Sequence, residues 1–137
     1  MLTQNKSILD WIDDKIKLLP PDKVVCIDGS EEQLEALRAE AVSTGEMIKL
    51  TQEKLPGCYL HRTAVNDVAR VEHRTFICTS KKEDAGPTNN WEDPNVMYDK
   101  LRKLFDGAMK GRTMYVIPYC MGPIGSPFSK VGVELTD

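Results

Sequence analysis

An α/β domain with a mixed β-sheet and flanking helices is what this sequence predicts, on three observations. Two β-prone apolar runs, Thr113–Tyr119 and Val131–Leu135, flank a glycine- and proline-rich centre, MGPIGSP. Ser7–Leu19 carries Ile8, Trp11, Ile12, Ile16 and Leu19 at the spacing of an amphipathic helix. Between these ends, strand-like runs alternate with helical ones. With 137 residues, no internal repeat and no linker, the chain reads as a single domain spanning 1–137, long enough to bury a useful core.

In order, Pro20-Pro21 stops the first helix, and Val24–Asp28 is a short apolar run suited to a buried strand. Ser30 and Gln33 match a capping box and open a helix whose apolar face is Leu34, Leu37, Ala41 and Val42. Gly45 suits the position just past its end. Met47–Leu50 and Cys58–Leu60 read as short strands around the turn at Leu55–Gly57. Asn66 or Asp67 caps a single helical turn through Val68–Arg70, and Thr75–Thr79 is β-branched and apolar, hence a strand. Ser80–Pro94 is a polar loop around Trp91. Asp93-Pro94 then starts a helix to about Phe105, with Pro94 at its first position and Gly107 ending it. In the MGPIGSP centre proline fixes φ and glycine frees it, so this loop has a specific path between two strands, with Val116, Ile117 and Val133 buried.

Composition narrows the function classes. The chain is 41% hydrophobic and 28% charged with a net charge of −3, ordinary for a soluble globular protein. The slight acidic excess argues against a nucleic-acid or anionic-membrane surface. Charges interrupt every apolar run before membrane-spanning length. The N-terminus carries acids and lacks the basic start and apolar core of a signal peptide, so the expected location is cytoplasmic. The four cysteines, Cys26, Cys58, Cys78 and Cys120, form no C-x-x-C pair, which argues against zinc. Cys26 and Cys78 sit in apolar runs and read as small buried hydrophobes.

Among chemistry-bearing residues, Arg70 stands out. DVARVE, Asp67–Glu72, places a guanidinium on a short turn just ahead of a strand, where scaffolds present ligand contacts. A guanidinium can hold a carboxylate through two parallel hydrogen bonds. Residue chemistry alone favours a surface arginine paired with Asp67 or Glu72, since exposed ion pairs are common. MGPIGSPFSK is not a Walker A loop: no Gly-Lys-Ser/Thr follows, and its prolines remove N–H groups that a phosphate cradle needs. Arg112 fits a structural ion pair at a strand entry. His61 and His73 are too isolated for a metal or a triad, and Ser126 and Ser129 lack a base.

GRTMYVIP, MGPxGSP and VGVELTD, preceded by DGSEE, DVARVE and NNW in that order, resemble the N-terminal segment of the GTP-dependent phosphoenolpyruvate carboxykinases. The resemblance covers nearly the whole chain but a small part of the family's length. It implies a carboxykinase-like N-terminal domain fragment from which the nucleotide- and metal-binding domain is absent. The implied reaction, in gluconeogenesis or anaplerosis, is oxaloacetate plus GTP to phosphoenolpyruvate, GDP and carbon dioxide, a lyase (decarboxylase) chemistry. Manganese and a second divalent metal assist it. The resemblance gives Arg70 the role of binding the carboxylate of oxaloacetate or phosphoenolpyruvate, with Glu72 as a supporting substrate-side residue. GTP and the metals belong to family segments downstream of these motifs, so no catalytic, cofactor or metal residue is assigned here and the chain alone is expected to be inactive. The alternative is a non-catalytic interaction or regulatory domain derived from the same segment. The final strand is expected to leave an unpaired edge near Val131–Leu135, open to self-association.

Overall fold

The computed structural model describes residues 3–67 and 71–137. It is α/β, with a mixed sheet and flanking helices, and the chain divides into two compact units: Met1–Ile27 with Glu72–Asp137, and Asp28–Val71.

The first unit opens with α1, Lys6–Leu18, capped by Asn5, whose side chain accepts from the Ser7 N–H at 3.0 Å. Its apolar stripe faces a three-stranded sheet of order β1-β6-β7. β1 is Lys23–Cys26, β6 is Thr113–Met121 and β7 is Lys130–Thr136. β1 runs parallel to β6, Lys23 beside Thr113, whereas β7 returns antiparallel, Val116 beside Leu135. Two contacts fix the shared entry of β1 and β6: Asp22 N–H donates to the Arg112 carbonyl at 3.0 Å, and Gly111 N–H to the Asp22 carboxylate at 2.9 Å. Ile12 of α1 packs with Met114 and Val116, both fully buried, and Ile8, Ile16, Leu19, Val133 and Leu135 surround them. Side chains alternate across a strand, so Met114 and Val116 share the α1-facing side and Ile117 points the other way. Val116 is accordingly buried, while Ile117 and Val133 are only half-buried.

Two further elements belong to this unit. β4, Phe76–Ile77, pairs in parallel with β5, Asn90–Trp91, a much shorter pairing than the Thr75–Thr79 run suggests. α3 is Pro94–Phe105, with Asp93 accepting from the Asn95 and Val96 N–H groups and proline in the first turn. Cys26 and Cys78 are exposed rather than buried. Cys26 lies on the same side as the exposed Val24 of β1, an edge strand, and Cys78 follows the last residue of the two-residue β4.

The second unit holds α2, Glu31–Ser43, and a small antiparallel pair, β2 (Ile48–Lys49) with β3 (Tyr59–Leu60). Leu34, Leu37, Ala41 and Val42 of α2 are half-buried. Gln52 closes the hairpin: its amide donates to the Leu50 carbonyl at 2.6 Å and its oxygen accepts from Gly57 N–H at 2.8 Å.

Candidate substrate-binding segment

The turn after DVARVE is built around one asparagine. Glu72–Arg74 forms a single 3-10 turn leading into β4. Asn90, the first residue of β5, sends its side-chain amide to the carbonyl of Glu72 at 2.8 Å and to that of Thr75 at 3.1 Å. Those two carbonyls bracket the turn, so a single planar amide holds both ends of it. The Glu72 carbonyl also accepts the turn's own bond from the Thr75 N–H at 3.2 Å, so it serves both the turn and Asn90. The neighbouring Trp91 donates its indole N–H to the Thr79 carbonyl at 2.9 Å, two residues past the end of β4. Asn89 contributes a third tie, its amide to the Ala85 carbonyl at 2.7 Å. The NNW motif is therefore a set of side-chain donors aimed at the backbone of Glu72–Ala85.

Of the predicted site residues, Arg70 lies outside the described residues, together with the helical turn expected over Val68–Arg70. Glu72 is described: it opens the 3-10 turn and its side chain is exposed. The sequence reading missed Asn90 as a support. No local pattern marks it, because the tie joins residues 18 positions apart.

The remaining candidates resolve into structural roles. Arg112 makes an ion pair with Asp137 at 2.5 Å, across the β6 entry and the end of β7. His61 donates from Nδ1 to the Glu46 carbonyl at 2.6 Å, and His73 Nε2 accepts from Arg74 Nε at 3.1 Å. The MGPIGSP loop closes on itself, Ser126 N–H donating to Pro123 carbonyl at 3.1 Å and Ser129 N–H to Ser126 carbonyl at 3.1 Å. Ser129 Oγ also donates to the Pro123 carbonyl. At the mouth of this loop Gly122 holds φ at +95°, a conformation that L side chains rarely adopt.

Asp28, in DGSEE, has its carboxyl held below its ordinary value, chiefly by the Ser30 backbone N–H, which donates to it at 2.8 Å. The Asp28 N–H in turn donates to Gln33 Oε1 at 2.8 Å, and Ser30 Oγ accepts from Gln33 N–H at 3.3 Å. The expected capping box thus forms with Gln33 reaching two residues further back than usual.

A groove of about 730 Å³ lies between α1 and the β6-β7 hairpin, lined by Ile8, Trp11, Pro118, Ile124, Val131 and Val133 among others. Glu72 is not part of it. Among the described residues no three His, Cys, Asp or Glu side chains come together as a metal site, and no helix is long and apolar enough to cross a membrane.

These features coincide with a known domain class. The chain belongs to the phosphoenolpyruvate carboxykinase N-terminal domain family, which matches residues 10–137. It is 56% identical over 135 residues to a GTP-dependent phosphoenolpyruvate carboxykinase of Anaeromyxobacter sp. (strain K), covering 98% of this chain and 23% of that protein. A protein of the same name from Corynebacterium glutamicum (strain R) is 53% identical over 135 residues, covering 98% of this chain and 22% of its own length. The chain therefore corresponds to the N-terminal part of these relatives and spans less than a quarter of their length.

Proposed function

We propose that this chain supplies the substrate-carboxylate arginine, Arg70, to the GTP-dependent carboxykinase reaction that its relatives are named for. In that reaction oxaloacetate and GTP give phosphoenolpyruvate, GDP and carbon dioxide in the cytoplasm, serving gluconeogenesis or anaplerosis. The observation that carries the reading is an intact DVARVE motif in a chain 56% identical to such an enzyme over 135 residues. A planar guanidinium grips a carboxylate through two parallel hydrogen bonds and so fixes both its position and its rotation. Glu72 stands two positions on, at the start of the turn that Asn90 ties down.

In this reading GTP, manganese and the second divalent metal are not held by the described residues of this chain. The described residues bring no three metal-binding side chains together, and the sequence has no Gly-Lys-Ser/Thr loop. Those groups neutralise charge in phosphoryl transfer, and their ligands would lie elsewhere in a polypeptide of full family length. The chain by itself is accordingly inactive in this reading.

The test is Arg70→Lys in a polypeptide of full family length carrying this segment. Lysine keeps the charge but loses the bidentate contact, at a cost of about 1.5–3 kcal/mol, so kcat/KM falls roughly ten- to a hundredfold with the melting temperature unchanged. Unchanged turnover and substrate affinity would remove Arg70 from the site. A second reading, a non-catalytic interaction domain, draws on the exposed apolar tip of the β6-β7 hairpin. Titration calorimetry of oxaloacetate and GTP against the isolated chain bears on both, because micromolar GTP binding would contradict the assignment of the nucleotide site elsewhere.

A further inference from the structure

Asn90 turns both of its donors on main-chain atoms. A side-chain amide carries two N–H groups. That of Asn90 reaches the Glu72 carbonyl at 2.8 Å and the Thr75 carbonyl at 3.1 Å. The residue is exposed, so water would satisfy both carbonyls in its absence. What the amide adds is a fixed geometry between the two ends of the Glu72–Arg74 turn. The turn's own bond, Thr75 N–H to the Glu72 carbonyl at 3.2 Å, lies at the long end of the usual range.

Backbone pairing around this turn is slight. β4 and β5 meet at two positions only, Phe76 beside Asn90 and Ile77 beside Trp91. Asn90 itself is well anchored. It stands three residues before Asp93, whose side chain caps α3. That helix buries Met97 and sets the Lys100 ammonium over the Phe76 ring, 5.9 Å from its centroid. The Asn90 amide thus carries the position of a firm element to a loosely paired one. The end so held belongs to DVARVE: Glu72 is its last residue, and Arg70 precedes Glu72 by two positions. A chain reaches only about 3.5 Å per residue, so a shift of the Glu72 anchor is felt two positions away.

We infer that Asn90 is a positioning residue for the substrate carboxylate. It touches neither substrate nor reacting atoms. By holding Glu72 and Thr75 it sets the point from which the carboxylate-binding arginine is presented, and the inference rests on the assignment of Arg70 proposed above. A bidentate guanidinium–carboxylate pair depends on rotation as well as position. A misplacement of about 1 Å arising away from the chemistry can cost on the order of a hundredfold in rate. Asparagine suits this task because its planar amide sets two donors at a fixed angle on a short stem.

Steady-state kinetics in a polypeptide of full family length test this with Asn90→Ala, Arg70→Lys and the double variant. Expected for Asn90→Ala is a KM for oxaloacetate raised about five- to tenfold, with the KM for GTP unchanged. A substitution that only loosened the fold would reduce the amount of active enzyme. It would lower the apparent kcat and leave both KM values alone. In the double variant the loss should fall short of the two single effects combined, because lysine has no bidentate geometry left to misalign. Suppose Arg70→Lys impairs the enzyme while Asn90→Ala leaves the oxaloacetate KM at the parent value, or acts independently of Arg70→Lys. The positioning role is then overturned and the Arg70 assignment stands. If Arg70→Lys itself changes nothing, that assignment fails and takes this inference with it.

Discussion

The ring of Tyr119 lies across the bare backbone of Gly132, its cross-strand partner: a Cβ on the glycine would stand 2.6 Å from both Cζ and Oη and 2.9 Å from Cε1. No real Cβ tolerates such an approach, so Gly132→Ala forces the ring off the strand. The clash is with the far end of a side chain that is 46% exposed, so the ring can turn aside and the cost stays below the roughly 1–3 kcal/mol of overpacking a closed core. Gly132→Ala should therefore lower the midpoint of a denaturant melt only slightly, and adding Tyr119→Ala should recover part of that small loss. Additive effects in the double variant would show that the two residues do not meet.

Asp28 makes the acid limb of stability testable. Its folded-state pKa lies below the ordinary value of 3.8, first because of the Ser30 backbone N–H. A depressed carboxyl stabilises the fold above its unfolded pKa, and that contribution is lost as pH falls through the folded value. Asp28→Asn can still accept the Ser30 bond but no longer titrates. Thermal melts from neutral pH downward should show the variant losing less stability than the parent at the acid end, with parallel curves near neutrality. Asp14, lowered chiefly by its side-chain hydrogen bond to Lys15, acts in the same direction.

Asn90 predicts a sharper contrast between two substitutions. Alanine removes both ties to the Glu72–Thr75 turn, worth roughly 0.5–1.5 kcal/mol each. Aspartate removes them too and sets a carboxylate against two carbonyl oxygens, so Asn90→Asp should be the more damaging. Amide exchange at Phe76 and Ile77, in the strand that follows the turn, should speed up in both. Parent-like exchange in Asn90→Asp would show that the amide is not what holds the turn.

Met114 and Ile117 separate the two faces of β6. Met114→Ala opens a hole beside Ile12 and Val116 and should cost about 2–5 kcal/mol in a denaturant melt. Ile117→Ala, on the half-buried opposite face, should cost clearly less. Equal losses would contradict the face assignment.

The helices were legible because their ends carry chemistry that acts over a few residues. Asp93-Pro94 started α3 and Ser30 started α2 as their side chains dictate. The strands were harder. Thr75–Thr79 looked like one long strand, yet only Phe76–Ile77 pairs, because a β-branched run signals preference and says nothing of a partner's length. Val116 and Ile117 are both apolar, so alternation gave no face, and the packing of α1 decided it. Cys26 and Cys78 read as core residues for the same reason, since apolar neighbours in sequence do not establish an apolar side in space. At the site the motif pointed to Arg70 and Glu72. The support from Asn90, 18 positions beyond Glu72, depends on tertiary placement that no local pattern encodes.

The parallel pairing of β1 with β6 also sets an order of events during synthesis. Asp22 and Gly111, which meet at the entry to the two strands, are 89 positions apart in sequence. Closing a loop of that length costs roughly 4 kcal/mol of chain entropy on a logarithmic scale, before any contact compensates. As the chain leaves the ribosome, α1 and β1 emerge first and find no sheet to join. Residues 28–71 can complete their own α2 and β2-β3 contacts in the meantime. Only when Met114 and Val116 appear can Ile12 be covered, so Ile12 waits for residues more than a hundred positions later. During that interval the Ile8, Ile12 and Ile16 stripe is a ready substrate for a chaperone.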